Sequence, residues 1–134
     1  MRASCQCGKL SASVADRTDA ATVLCHCSDC RKRSGSPFGA MAYFPRDAVS
    51  VEGEAREFTR PSDNGFTFTT GFCPDCGSTV YGLASRMPQI MGLTLGTLEE
   101  GAQLAPTRSV YEQGRFDWVQ VPGGIPRHQQ GRGS

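Results

Sequence analysis

Apolar residues recur at every second position in three stretches of the chain. Leu10, Ala12 and Val14 mark the first, Phe38, Ala40, Ala42 and Phe44 the second, and Phe66, Phe68 and Phe72 the third. A period of two is the pattern of a strand with one buried face. Shorter apolar runs predict further strands over 20–24, 55–59, 78–83, 90–95 and 109–111. Turn-forming clusters such as Pro61-Ser62-Asp63-Asn64-Gly65 separate them. No long window repeats apolar side chains at helical spacing, and sixteen Gly and eight Pro cut the chain into short pieces. One brief helix is predicted over 29–34, with Ser28 capping its start and Gly35 closing its end. Trp118 and Phe72 are expected as core aromatics. The pattern predicts a mostly β domain.

The 134 residues suffice for one domain with a core of ordinary size. Residues 1–126 are expected to form it, and residues 127–134, which have no apolar anchor, are expected as a flexible tail. A formal charge of +1 gives no electrostatic ground for nucleic-acid binding. The first residues lack the apolar run of an export signal. The most apolar region, 90–98, is interrupted by Gly92, Thr94 and Gly96, so no membrane span is expected. A cytoplasmic protein without nucleic-acid or membrane partners is the expectation.

Seven cysteines change this bland picture. An odd number cannot all pair, and in a reducing compartment clustered thiols bind metals or perform redox chemistry more often than they form disulfides. They fall into three groups: Cys5 and Cys7 before Gly8; Cys25, Cys27 and Cys30; and Cys73 and Cys76 before Gly77. Cys73-Pro74-Asp75-Cys76-Gly77 has the form of a zinc knuckle, in which Pro74 presets the turn and Gly77 supplies a positive φ. A knuckle provides two thiolates and closed tetrahedral zinc needs four. Cys5 and Cys7, facing one way on an extended chain, are the expected partners, giving a structural site; the alternative is a pair of exposed thiols. Cys25, Cys27 and Cys30 then stand as three ligands with one position open, the general form of catalytic zinc. A closed site completed by His26, Asp29 or His128, a Cys27/Cys30 redox pair and free thiols remain as alternatives.

Taken together, these groups resemble the glutathione-dependent formaldehyde-activating enzyme family, which includes the centromere protein V domain. The carriers are C-Q-C-G-K at 5–9, C-H-C-S-D-C-R-K-R-S-G-S-P-F at 25–38, G-E at 53–54, F-C-P-D-C-G-S at 72–78, G-T-L-E at 96–99 and Trp118, within residues 3–122. Where family members often carry an Arg before the F-C and a His-Ile pair after the late Pro, this chain has Thr70-Gly71 and Ser109-Val110. The resemblance implies a β-tent of several small antiparallel sheets built around zinc, similar to methionine sulfoxide reductase B. It implies two zinc ions, one structural on Cys5, Cys7, Cys73 and Cys76 and one catalytic on Cys25, Cys27 and Cys30. The activity implied is a carbon-sulfur lyase type, addition of glutathione or a similar thiol to formaldehyde or another small aldehyde. Arg31, Lys32 and Ser34 are candidate substrate contacts, with a solvated helix face as the alternative for the basic residues. A non-catalytic, zinc-stabilised interaction module is the alternative for the whole. Seven thiolates and two zinc ions would bring the formal charge from +1 to −2, which makes the local Arg31-Lys32-Arg33 run more conspicuous.

Overall fold

A computed structural model describes residues 1–15 and 19–134. The mostly β expectation holds, and the strands form two sheets. The smaller contains β1 (Arg2–Ser4), β2 (Ser11–Ser13) and β5 (Ser50–Glu52), in the order β1-β2-β5. The larger contains β3 (Ala21–Cys25), β4 (Gly39–Pro45), β6 (Arg56–Pro61), β7 (Thr67–Phe72), β8 (Thr79–Ala84), β9 (Ile90–Thr94) and β10 (Arg108–Val110). Its order is β10-β3-β4-β9-β8-β7-β6, antiparallel except where β10 runs parallel to β3. The alternating residues predicted as strands lie in or beside β2, β4 and β7. The sequence pattern missed β1 and β5, whose three residues each are too few to display a period.

Both sheets contribute to one core. Ala3, Leu10, Ala12 and Val14 of the small-sheet region join Ala42, Phe44, Val80, Met91 and Leu93 of the large sheet, with Leu98 and Leu104 beyond it. Phe44, Leu10, Leu93 and Val80 are almost fully removed from water. At about 25 cal/mol per Å² of apolar surface, each such side chain contributes roughly 1.5–3 kcal/mol to folding. The opposite face of the large sheet, marked by the register Cys25↔Gly39, Tyr43↔Gly92, Gly82↔Gly92 and Arg60↔Phe68, carries the chemistry.

The helix α1 (Ser28–Ser34) connects β3 to β4 and packs on β4. Gly35, at φ 69°, closes it as expected, but the cap at its start is Cys27, whose sulfur accepts from the Cys30 amide at 3.4 Å. Ser28 lies inside the first turn. Trp118 is not a core residue: 73% of it is exposed, edge-on to Phe116. Residues 127–130, expected in a tail, are tied to the body. The amides of Tyr111, Glu112 and Gln113 donate to the carbonyls of Gln130, His128 and Gln129, and His128 donates to Ser109. These are backbone bonds, which polar side chains do not advertise.

Candidate metal centres

Two hairpin tips build the first centre. Cys5 and Cys7 lie in the connection from β1 to β2, and Cys73 and Cys76 in the connection from β7 to β8. The two connections are built alike. Cys5 N donates to Leu10 O and Gly8 N to Cys5 O; Cys73 N donates to Ser78 O and Gly77 N to Cys73 O. Gly8 and Gly77 take φ values of 85° and 80°, so each chain reverses immediately after its second cysteine. The extended geometry expected for Cys5 and Cys7 is therefore replaced by a turn, because Gly8 permits a conformation that an extended reading ignores.

All four sulfurs lie within 4.8 Å of one another. Cys5 Sγ is 3.7 Å from Cys7 Sγ, and Cys7 Sγ is 3.6 Å from Cys73 Sγ. Four ligands at about 2.3 Å around a tetrahedral ion stand about 3.8 Å apart, so these separations suit zinc. Leu10 N donates to Cys5 Sγ at 3.2 Å, an N–H···S contact that favours a thiolate. The Ser78 hydroxyl and amide pull the Cys76 thiol down to about 5. Cys5 and Cys73 are buried. The donor set is complete and could hold a metal ion.

Cys25, Cys27 and Cys30 form the second centre, at the junction of β3 and α1. Their sulfurs too lie within 4.8 Å of one another, and all three residues are half-buried. Hydrogen bonds from Cys25 and Cys30 hold the Cys27 thiol far below its ordinary range, while the same contact pushes Cys25 up. A divalent ion would replace the thiol protons and fits the donor chemistry. Among the described residues, no His, Asp or Glu joins this group as a fourth donor.

The three candidates weighed for that place are engaged elsewhere. His26 is fully buried, its Nε2 3.0 Å from Ser109 Oγ and its ring against Phe38. Ser109 in turn interacts with the Glu112 carboxylate, and Nδ1 of His26 has no hydrogen-bond partner among the described residues. Burial lowers the His26 pKa and keeps the ring neutral. Asp29 pairs with Arg60, and His128 accepts from Arg108.

The candidate substrate contacts separate. Arg31 donates to Gly114 O at 3.0 Å and stacks on Phe116 at 5.3 Å, and with Lys32, Ser28 and Pro37 it lines a cavity of about 370 Å³. Arg33, Ser34 and Phe38 line a second cavity of about 450 Å³, together with Gly77, Ser78 and Thr97. The Ser34 hydroxyl is committed to the end of α1, donating to Cys30 O at 2.8 Å and accepting from Ser36 N. Gly39 leaves room beneath the helix, since a Cβ there would lie 2.6 Å from Arg33 Nη2 and 3.2 Å from Cys30 Cβ.

A family model described as glutathione-dependent formaldehyde-activating enzyme matches residues 1–114, which include both cysteine centres. The chain belongs to this family. A family relative in Penicillium rubens, named "Putative glutathione-dependent formaldehyde-activating enzyme", is 38% identical over 69 residues. These cover 52% of this chain and 36% of that protein, so the match spans about a third of the relative's length. Among solved structures, the crystal structure of a Rhodobacter sphaeroides protein aligns over 95% of this chain and 99% of that one, with a TM-score of 0.57 and 20% identity. That likeness is one of fold. The resemblance carried by the cysteine motifs is thereby confirmed at the level of family.

The sequence reasoning missed Arg60. It lies one residue past the strand predicted over 55–59, and nothing local sets it apart from other surface arginines. Only the sheet register brings it beside α1.

Proposed function

We propose that the chain is a zinc enzyme of carbon-sulfur lyase type that adds a thiol, glutathione or one similar to it, to formaldehyde or another small aldehyde at the three-cysteine centre. The observation that carries this reading is the contrast in donor count: one centre converges four sulfurs and the other only three, with His26 and Asp29 turned to other partners. Cys5, Cys7, Cys73 and Cys76 hold a structural ion, and Cys25, Cys27 and Cys30 hold the reactive one. Zinc bound there supplies Lewis acidity, which lowers the pKa of a thiol or polarises a carbonyl oxygen.

The reaction needs no oxidant or reductant. A sulfur-carbon bond forms, the carbonyl π bond breaks, and the thiol proton ends on the former carbonyl oxygen. The chain's part is to leave room for the incoming sulfur and to orient it. Arg31 and Lys32, in the cavity beside α1, are suited to the carboxylates of a peptide-like thiol, with Phe116 as an apolar wall. The reducing cytoplasm, where such thiols abound and cysteine centres survive, is the proposed compartment.

Zinc counting by native mass spectrometry, with and without glutathione, tests the assignment. Two ions and a thiol adduct abolished by Cys27→Ser, but kept in Arg132→Ala, are expected. One tightly held ion and no adduct would leave the chain a zinc-stabilised module rather than an enzyme. Catalysis is then measured as acceleration of exchange between formaldehyde and glutathione over the spontaneous rate.

A further inference from the structure

Arg60 belongs to no cysteine motif and lies on β6, the outermost strand of the large sheet. Its side chain is only 22% exposed, and two contacts account for this. Phe68 is its cross-strand partner, and the guanidinium lies 5.1 Å above that ring. Nη1 is 3.5 Å from Asp29 Oδ2. Asp29 stands between Cys27 and Cys30 at the start of α1, so this pair brings the guanidinium beside the segment that carries the three cysteines. The hairpin that carries Arg60 is itself tethered, because Asp63 in its tip accepts a hydrogen bond from the Tyr111 hydroxyl.

The basic run of α1 is disposed differently. Arg31 is turned to the Gly114 carbonyl and Phe116, and Lys32 faces the outer cavity. Arg33, by contrast, lies over Gly39, the cross-strand partner of Cys25 and a neighbour of Cys30, and is a second cation near the three cysteines. Three thiolates and a divalent ion carry one net negative charge, and an arriving thiolate adds another. A cation held in place beforehand stabilises that charge with little ordering at the moment of binding.

Resting on the function proposed above, we propose that the Arg60 guanidinium offsets the charge of a thiolate arriving at the three-cysteine centre. It acts on the sulfur itself and not on the rest of the substrate. Phe68 and Asp29 hold it there, and a lysine in its place keeps the charge without the planar stacking.

The zinc-loaded protein, titrated with glutathione and with the neutral thiol 2-mercaptoethanol, provides the test. Dissociation constants come from calorimetry, with zinc content and circular dichroism measured in parallel. Arg60→Gln should weaken both thiols by roughly tenfold, the scale of one charge-assisted contact, at unchanged zinc content. Arg60→Lys should recover most of the loss, and added salt should narrow the gap between wild type and Arg60→Gln. Phe68→Leu leaves every charge in place and should weaken both thiols in the same direction, which gives a second reading should Arg60→Gln fail to fold. Unchanged affinity for both thiols in Arg60→Gln, or in Phe68→Leu where that is the reading, overturns the proposal. A loss confined to glutathione also overturns it, since it would make Arg60 a contact for substrate carboxylates. A wild-type protein that binds neither thiol overturns the proposed function together with this role.

Discussion

The two cysteine centres use the same donor atom for different mechanical purposes. The four-sulfur centre is made of two hairpin tips, one from each sheet, so an ion there staples the β1–β2 hairpin to the β7–β8 hairpin. Its ligands are supported by backbone amides and by Ser78, and two of them are buried. The three-sulfur centre comes from a single stretch of chain, and its support is a buried polar group. His26 joins Ser109, Ser109 joins Glu112, and Arg127 grips both oxygens of Glu112 at 2.9 Å. On the function proposed above, closure of one centre serves folding, whereas the open position of the other is where the chemistry takes place.

The sharpest way to break this comparison is to remove one ligand from each centre. Cys73→Ser should unstaple the sheets and cost at least about 3 kcal/mol, since metal binding at such a site counts as folding free energy. That corresponds to a fall of roughly 10–20 °C in Tm by circular dichroism. Cys27→Ser should melt much closer to wild type while losing thiol binding. Equal losses from the two would contradict the division of labour. A second prediction concerns the buried brace. Ser109→Ala leaves both ring nitrogens of His26 without a partner and should cost about 1–3 kcal/mol by denaturant unfolding. The zinc content of the four-sulfur centre should stay unchanged.

A third prediction turns on pH. Burial alone would raise the Glu112 pKa, but hydrogen bonds from Arg127 and Ser109 outweigh it and hold the carboxyl below the usual glutamate range. The stability this provides is present above the unfolded-state value near 4.3 and is lost as pH falls through the lower folded value. Glu112→Gln should therefore be less stable than wild type at neutral pH. The difference in Tm should shrink in acid, below about pH 4.3. A gap that stays constant down to pH 3 would remove the ion pair from the brace. The smallest effect is expected from Trp118→Ala, at a ring left mostly in water. It should alter stability by no more than about 0.5 kcal/mol, and thermal melting is sensitive enough to find a larger role.

Short-range chemistry was readable from the sequence and long-range register was not. The grouping of cysteines by spacing, the positive φ of Gly77 and the αL closure at Gly35 all follow from residues within a few positions of one another. So do the alternations that became β2, β4 and β7. Capping by Cys27 in place of Ser28 escaped because a cysteine sulfur can accept from the same backbone donor as a hydroxyl. Trp118 was misplaced because size and apolarity predict burial only when something packs over the ring. The docking of residues 127–130 rests on main-chain groups, which every sequence has. Arg60 is the most instructive omission: its placement requires β6 to pair with β7 in a register that sets it over Phe68 and beside a helix thirty residues earlier in the chain.

The hairpin origin of the closed centre also sets an order of events during synthesis. Cys5, Cys7, Cys25, Cys27 and Cys30 all precede Cys73, so a growing chain presents five thiols before the second knuckle exists. Any ion captured early has the three-cysteine loop as a competitor for Cys5 and Cys7. Emergence of Cys73 and Cys76 supplies the other two donors of the four-sulfur centre. For a chain that takes up metal as it grows, the four-sulfur centre is thus complete only after β7 and β8 pair.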